Sequence, residues 1–243
     1  MKIKKILNNF INFVIPDYCF ICKEVLENNE TQICDHCISL LKEPECFCKK
    51  CGKPTDLNQD WCNICKYKKI YYEKMFVAYY YDETLKKFLK KVKYNPSEKI
   101  FENFDICYNL FLNNEQLKEL AILKDNLDFV LPIPIHLERQ KLRGYNQSVL
   151  LAQVLEDCYG IHYKTDILKK HKNTKFFFSL NKKEREKELE NAFEIINFEA
   201  IKNKNILLLD DISTTGTTMN NISKLLLENG ANSIFTMCLA HGE

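Results

Sequence analysis

The sequence predicts an α/β fold, in which helices cover a mostly parallel sheet, preceded by a small cysteine-rich module. After residue 70, apolar runs typical of strands alternate with segments of helical periodicity, and this βαβ order favours a parallel sheet. Before residue 70 the chain is rich in cysteine, with nine of the twelve between Cys19 and Cys65. We therefore divide the chain into a metal-binding module, residues 1–70, and an α/β domain, residues 71–243.

The elements of the α/β domain follow from its hydrophobic periodicity. Strands are predicted at 75–81, from 128 to a proline-rich loop, at 205–209 and at 232–239, and helices at 83–93, 98–120, 146–159 and 218–229. A further amphipathic helix is predicted at 3–15, in front of the cysteines. That N-terminal run contains three asparagines and no small-residue cleavage site, so it predicts neither a secretory signal nor a membrane span.

Four consecutive aliphatic residues, Ile206 to Leu209, predict a strand that is buried on both faces. Asp210 and Asp211 follow directly. Open α/β sheets bind ligands beyond the carboxyl ends of their strands, and paired carboxylates can accept hydrogen bonds from the vicinal hydroxyls of a ribose. The pair therefore indicates a sugar-binding position, although an ordinary acidic turn after a core strand is the simpler alternative.

A loop rich in hydroxyl groups comes next and suits a phosphate. Its five hydroxyl residues are Ser213, Thr214, Thr215, Thr217 and Thr218. Gly216 lets the backbone turn its amides onto an anion, in front of a helix that is predicted to begin near Thr218. A single Ser/Thr helix cap would explain one of these hydroxyls, but not the whole series together with the paired acids.

A basic loop between a strand end and a helix supplies a second charged group. His136, Arg139, Lys141 and Arg143 precede Gly144 in this loop. Guanidinium groups match phosphate oxygens in a bidentate geometry, and glycine permits a close backbone approach. Alone the loop is a weak signal, but beside the acids and hydroxyls it predicts a clamp for a diphosphate.

Eight cysteines form four Cys-x-x-Cys pairs, a spacing that lets two thiolates reach one tetrahedral ion. They are Cys19, Cys22, Cys34, Cys37, Cys48, Cys51, Cys62 and Cys65. Eight ligands predict two structural zinc ions, whereas a disulfide framework would need an oxidising compartment that no secretory signal supports. Spacing leaves open whether the pairs combine sequentially or cross over. Cys46 could replace Cys48 as a ligand, and Cys48 is preferred because it completes the two-residue spacing.

The cysteine usage favours a reducing, cytoplasmic location, and the net charge of +2 gives no protein-wide basic field. Charge is nevertheless uneven along the chain. Lysines crowd the predicted helix at 83–93, and a Lys-rich segment at 164–187 contains Phe176 to Phe178. Basic residues beside aromatic rings can hold single-stranded nucleic acid. For either patch alone, a solvated helix face or an apolar core strand is the preferred interpretation.

The order of parts at 206–218 resembles the phosphoribosyl diphosphate (PRPP) signature of the type I phosphoribosyltransferases. The resemblance implies a type I phosphoribosyltransferase-like parallel-sheet domain. It implies that Asp210 and Asp211 hold the ribose hydroxyls, directly or through Mg²⁺, and that Arg143 acts with them on the departing diphosphate. The PRPP-binding residues would be Arg139, Arg143, Gly144, Asp210, Asp211, Ser213, Thr214, Thr215, Gly216, Thr217 and Thr218.

Three segments behind the cysteine pairs narrow the resemblance to the ComF family, in particular to the ComFC-type competence proteins. They are Pro132 to His136, Arg143 to Gln147 and Asp210 to Thr218. The resemblance implies a role in natural transformation, on incoming single-stranded DNA at the cytoplasmic side. The chain departs from the family pattern where Lys169 to Phe176 replaces an Arg-rich stretch, and where Glu188 and Asn191 replace Asn and Gly. This departing region corresponds to the loop that closes over PRPP in the superfamily.

Two other functions fit the same residues. One is a phosphoribosyltransferase of nucleotide metabolism with an added zinc module; purine-salvage enzymes place an acid in the phosphate loop, where this chain has Thr214. The other is a non-catalytic zinc adaptor that binds single-stranded DNA or a helicase partner. The preferred function is a PRPP-binding protein of natural competence, with pentosyl transfer to an unidentified acceptor as its expected activity.

Overall fold

A computed structural model describes residues 18–19, 21–26, 33–43, 45–55, 59–94, 114–171 and 192–242. Its helices are α1 (Asp35–Ser39), α2 (Glu83–Tyr94), α3 (Glu115–Leu123), α4 (Leu137–Arg143), α5 (Gln147–Tyr159) and α6 (Thr217–Glu228). Its strands are β1 (Met75–Tyr80), β2 (Phe129–Pro132), β3 (Leu168–Lys170), β4 (Phe193–Ile195), β5 (Asn205–Ser213) and β6 (Ser233–His241). Single turns of 3₁₀ helix lie at Lys124–Asn126 and Glu199–Ile201.

Four strands form a parallel sheet in the order β1-β6-β5-β2. β5 lies inside this sheet, and its Leu209 pairs with Met237 of β6 and with Pro132 of β2. The prediction of a parallel, helix-covered sheet is confirmed. Because the strands are parallel, the carboxyl ends of β2, β5 and β6 lie at the same edge, which is the ligand-binding edge of such sheets.

Alternate residues of β5 pack on opposite faces of the sheet. Leu207 and Leu209 belong to an apolar cluster with α5, whereas Ile206 and Leu208 belong to a cluster with α6. All four side chains are fully buried. Strand β5 is therefore covered on both faces, as its continuous aliphatic run predicts.

Strand β5 continues to Ser213, beyond its predicted end at residue 209. The reason is that β6 stays paired beside it, with Asp210 opposite Cys238 and Ser213 opposite His241. The two acids consequently lie on the strand itself, close to its carboxyl end, instead of on a loop that follows it.

The predicted helix at 98–120 is wrong as a single element. Asn114 has an extended backbone conformation and caps α3, which begins at Glu115. The Asn114 side chain accepts a hydrogen bond from the Leu117 amide at 3.2 Å, and this cap interrupts any helix running through it. Residues 98–113 lie outside the described residues.

The cysteine-rich module covers the free edge of β1. The Met75 amide donates a hydrogen bond to the Lys49 carbonyl at 3.0 Å, and the Tyr80 amide donates to the Lys42 carbonyl at 2.9 Å. The module thus supplies hydrogen-bond partners to amides that an edge strand would otherwise leave unpaired. The module and the sheet share these contacts, and the domain boundary at residue 70 stays a prediction.

Several sequence predictions fall on residues that the structure does not describe. They concern the amphipathic helix at 3–15, the run from Phe176 to Phe178 and the family departures at Glu188 and Asn191. Among the described residues, every helix is too short or too polar to cross a membrane.

Candidate functional site

Strand β5 carries two acids to the edge of the sheet where helix α5 begins. Asp210 Oδ1 accepts hydrogen bonds from Ser148 Oγ at 3.0 Å and from the Asp211 amide at 2.9 Å. Ser148 lies in the first turn of α5 and is buried, whereas both acids are half-buried. The hydroxyl of Ser148 therefore fixes the orientation of the Asp210 carboxylate while the pair stays accessible to a ligand.

The hydroxyl loop, Ser213 to Thr218, connects β5 to α6. Gly216 caps α6 with a φ of +66°, a conformation that favours glycine. Thr215 Oγ1 lies 2.8 Å from Thr217 Oγ1 and accepts a hydrogen bond from the Thr217 amide at 3.4 Å. Thr214 and Thr215 are exposed. Because the first amides of a helix have no partner within it, the loop combines backbone donors with accessible hydroxyls, which is what an anion requires.

The basic segment at 134–147 differs from its predicted form, because part of it folds into the short helix α4. His136 caps this helix by accepting a hydrogen bond from the Glu138 amide at 3.3 Å. Gly144 ends it with a φ of +81°, and Arg143 donates to Gln147 Oε1 at 3.2 Å. The His136 cap begins this helix and the left-handed Gly144 ends it. The nearby prolines predict a loop here.

Strand β3 carries Lys170 close to the start of the basic helix α4. His136 Nε2 lies 3.1 Å from the His171 carbonyl, so the end of β3 lies against the start of α4. Burial lowers the pKa of Lys170, the positive charge of Arg139 lowers it further, and the negative charge of Asp210 raises it. Lys170 is therefore within electrostatic range of both Arg139 and Asp210, which belong to the two halves of the predicted clamp.

The predicted site residues come from two separate parts of the chain. The acids and the hydroxyl loop lie together because they are contiguous on β5 and α6, whereas Arg139 lies on α4, within electrostatic range of Lys170. Arg143 contacts the start of α5. Sequence analysis missed Ser148 and Lys170. Ser148 directly follows the segment ending at Gln147 and could have been found from its place at a helix start, whereas no local signal marks Lys170.

The eight predicted metal ligands form two groups. Cys19, Cys22, Cys34 and Cys37 make the first metal centre, and Cys48, Cys51, Cys62 and Cys65 make the second. Within each group all sulfur atoms lie within 4.8 Å of one another, and those of Cys51 and Cys62 are 3.7 Å apart. A tetrahedral zinc ion with bonds of about 2.3 Å separates its sulfur ligands by roughly 3.8 Å. Both groups therefore fit a structural zinc ion.

The cysteine pairs combine in sequence order, which resolves a question that spacing leaves open. Cys46 belongs to neither centre, as preferred. In both centres an antiparallel bridge closes the first knuckle, and the residue after its second cysteine has a positive φ, 70° at Lys23 and 75° at Gly52. The contact between Cys48 and Cys51 lowers the pKa of Cys48 against the effect of burial, and it raises the pKa of Cys51 together with burial.

A parallel sheet with acids and a hydroxyl loop at the end of an inner strand, beside two four-cysteine centres, defines an α/β protein of the phosphoribosyltransferase type with a double zinc module. Residues 151–243 match the family described as "Phosphoribosyl transferase domain". Residues 10–66 match the family described as "Double zinc ribbon domain". The predicted fold class and the cysteine-rich zinc module are confirmed.

Named relatives align with most of the chain. "Competence protein F" of Haemophilus influenzae is 29% identical over 233 residues, which cover 96% of this chain and 98% of the relative. "DNA utilization protein YhgH" of Escherichia coli is 24% identical over 93% of this chain and 97% of its own length. "Competence protein ComFC" of Bacillus subtilis is 26% identical over 83% of this chain and 80% of its own length. The resemblance to the ComF and ComFC competence proteins is therefore confirmed.

A hypoxanthine phosphoribosyltransferase from Staphylococcus aureus is 20% identical with a TM-score of 0.33, and the match covers 60% of this chain and 65% of that one.

Proposed function

We propose that this protein binds PRPP at the carboxyl end of β5 and acts in natural competence, in the handling of imported single-stranded DNA in the cytoplasm. One observation carries the proposal: Asp210 and Asp211 lead directly into the hydroxyl loop and the N-terminus of α6. The match to a phosphoribosyltransferase domain supports the ligand, and the names of the relatives support the role in competence.

In this proposal the acid pair binds the ribose. Asp210 and Asp211 accept hydrogen bonds from the 2′- and 3′-hydroxyls, and Ser148 holds the Asp210 carboxylate in position for them. The same carboxylates could hold Mg²⁺, which, when bound, would neutralise part of the diphosphate charge. The half-buried position of the pair suits a ligand that must approach from solvent.

The hydroxyl loop and the basic residues bind the two charged ends of PRPP. Thr214 to Thr218 cradle the 5′-phosphate with backbone amides and hydroxyls, at the positive end of the α6 dipole. Arg139, Arg143 and the backbone at Gly144 hold the diphosphate, and Lys170 adds a third positive charge. In pentosyl transfer the bond from C1 to the diphosphate oxygen breaks as an acceptor bonds to C1, and these cations stabilise the charge on the leaving group.

Isothermal titration of PRPP with Mg²⁺ tests the ligand. Changing both acids in Asp210→Asn/Asp211→Asn keeps the side-chain volume and removes the charges, so the ribose hydroxyls lose their charged acceptors and any Mg²⁺ loses its anionic ligands. We expect the affinity to fall by about tenfold or more, since a hydrogen bond to a charged group contributes about 1.5–3 kcal/mol.

The matched control is Asp125→Asn, which removes an exposed acid from the 3₁₀ turn before β2. This variant is expected to bind PRPP like the wild type. Equal affinity in the wild type and the double variant would contradict the ribose site, and absence of binding in the wild type would favour the non-catalytic zinc adaptor.

Exposed aromatic and basic residues around the second metal centre are the surface that we propose for single-stranded DNA. Tyr67 is 91% exposed and Trp61 is 44% exposed, and Lys50 Nζ lies 5.7 Å from the centroid of the Trp61 ring. Lys66 beside Tyr67 is also exposed. Exposed rings interspersed with lysines can stack on bases and contact phosphates, which is how proteins bind single strands without reading sequence.

Fluorescence anisotropy with a labelled oligonucleotide tests this surface. We expect Trp61→Ala/Tyr67→Ala to weaken binding of single-stranded DNA by about tenfold or more, because each stacked base contributes about 1–3 kcal/mol. Phe198→Ala is the control, since Phe198 is an exposed aromatic residue of the α/β domain. Unchanged binding in the double variant would exclude this surface from DNA contact.

Thr214 favours the competence function over purine salvage. In the proposed geometry this exposed residue occupies the position in the loop where salvage enzymes carry an acid that addresses the base. A threonine hydroxyl offers a purine no fixed charge, so the loop supplies phosphate donors without a built-in base contact.

A further inference from the structure

The segment between the second metal centre and β1 is hydrogen-bonded to the first turn of α6. The Tyr71 amide donates a hydrogen bond to Asn220 Oδ1 at 2.8 Å, and Asn220 Nδ2 donates to the Lys69 carbonyl at 3.2 Å. Asn220 is only 8% exposed, and its own amide donates to the Gly216 carbonyl at 2.9 Å. One buried side chain therefore joins the residues that follow the last ligand, Cys65, to the helix that begins at the hydroxyl loop.

Tyr72 lies between the second metal centre and the turn at Gly216. Its side chain is 2% exposed, and among the described residues its hydroxyl has no hydrogen-bond partner. A Cβ atom on Gly216 would lie 3.0 Å from that hydroxyl. Lys50, which stands between two ligands of the second centre, donates from Nζ to the Tyr72 carbonyl at 3.1 Å. Tyr72 thus contacts the loop at one end and the zinc knuckle at the other.

The same knuckle also contacts the strand end that carries the loop. Gly52 directly follows the ligand Cys51, and a Cβ atom on it would lie 3.2 Å from the ring of His241. His241 pairs with Ser213 across the sheet, and the Gly242 amide donates to the Ser213 carbonyl at 2.8 Å. The second metal centre is therefore connected to both ends of the hydroxyl loop, through His241 at Ser213 and through Tyr72 at Gly216.

The first metal centre has a different position. Its Cys19 and Cys37 pack in the apolar cluster that contains α5. Tyr72 packs in the cluster on the opposite face, with α6, and Ile70 contacts both that cluster and the second centre. The chain thus contains two chemically similar centres, of which the second contacts the structure around the loop.

We propose that the second metal centre positions the hydroxyl loop for its anion, with Tyr72 and Asn220 as the positioning residues. Zinc draws two distant cysteine pairs to one point and so orders residues 66–72, on which the first turn of α6 depends. The identity of the anion rests on the proposed function, because it is the 5′-phosphate of PRPP, whereas the link between the metal and the loop does not depend on PRPP.

Hydrogen exchange of the loop amides in the ligand-free, full-length protein tests the link. Cys62→Ser removes one thiolate from the second centre, and Cys22→Ser removes one from the first. We expect exchange at residues 213–221 to become at least about tenfold faster in Cys62→Ser and to stay at the wild-type rate in Cys22→Ser, with zinc analysis showing one ion lost in each. The affinity for PRPP should fall in Cys62→Ser alone.

A second pair of variants keeps every metal ligand. Asn220→Ala removes both hydrogen bonds to the segment after Cys65, and Asn229→Ala removes a hydrogen bond to Leu225 at the other end of α6. Faster loop exchange in Asn220→Ala with the zinc content unchanged supports the link. Equal loop exchange in the two asparagine variants, or in the two cysteine variants, overturns it. If the wild type binds no PRPP, the proposed function fails, while the exchange measurements still decide the link.

Discussion

At the residue scale, two glycines illustrate how similar backbone conformations can serve different purposes. Gly144 and Gly216 both have positive φ. A Cβ atom on Gly144 would meet nothing within 4 Å, whereas one on Gly216 would lie 3.0 Å from the Tyr72 hydroxyl. Position 144 therefore needs glycine only for its backbone angles. Position 216 needs glycine also because a Cβ atom would crowd the Tyr72 hydroxyl.

We expect Gly216→Ala to destabilise the protein more than Gly144→Ala. The left-handed conformation costs a residue with a Cβ atom about 1–2 kcal/mol, and at Gly216 the displacement of buried Tyr72 adds to this cost. Urea denaturation of both variants measures the difference in free energy of unfolding. An equal loss of unfolding free energy in the two variants would show that the Tyr72 contact does not restrict the residue at position 216.

At the element scale, the end of β5 and the start of α5 are joined by the hydrogen bond from Ser148 to Asp210. We expect Ser148→Ala to lower the affinity for PRPP by about tenfold, because Asp210 loses the donor that orients it. Titration calorimetry of the variant measures this change.

Ser223→Ala is the matched control for that variant. Ser223 is a buried serine of α6 whose hydroxyl has no partner in the described part of the chain, so its removal should leave PRPP binding unchanged. If both serine variants bind PRPP like the wild type, the Ser148 contact has no part in the site.

Sequence prediction succeeded for elements defined by local patterns. The aliphatic run at Ile206 to Leu209 predicts β5, and the predicted helix at 146–159 differs from α5 by one residue, at the cap Asn146. Errors arose where a boundary depends on a partner or a cap. The extension of β5 to Ser213 follows from pairing with β6, and the start of α3 follows from the side chain of Asn114. Neither is visible in periodicity.

The candidate site was predictable only in part for the same reason. Asp210, Asp211 and the threonines are consecutive, so a motif can identify them. Lys170 reaches the site from a separate two-stranded sheet, through contacts between residues far apart in the chain. No pattern within a short window records such a contact.

At the scale of the whole molecule, the cysteine-rich module and the sheet are interdependent. The module supplies acceptors to the edge of β1, where the Met75 amide donates to the Lys49 carbonyl and the Tyr80 amide donates to the Lys42 carbonyl. Spacing predicted the ligands but not this arrangement, because nothing in a Cys-x-x-Cys pair specifies the surface it packs on. We therefore expect zinc in the module to stabilise the sheet as well.

We expect the purified protein to contain two zinc ions per chain, one for each four-cysteine centre. Complete removal of zinc by a chelator should lower the melting temperature of the α/β domain as well, because the edge of β1 loses its cover. Metal analysis and thermal denaturation measure the two effects. An unchanged transition after complete removal would show that the sheet is independent of the module.

A crystal structure of the protein with PRPP and Mg²⁺ is the decisive test of the proposed PRPP site. We expect the 5′-phosphate on the amides of the hydroxyl loop, the ribose hydroxyls on Asp210 and Asp211, and the diphosphate beside Arg139. Density for PRPP at another surface, or carboxylates of Asp210 and Asp211 that face away from a bound ribose, would contradict it.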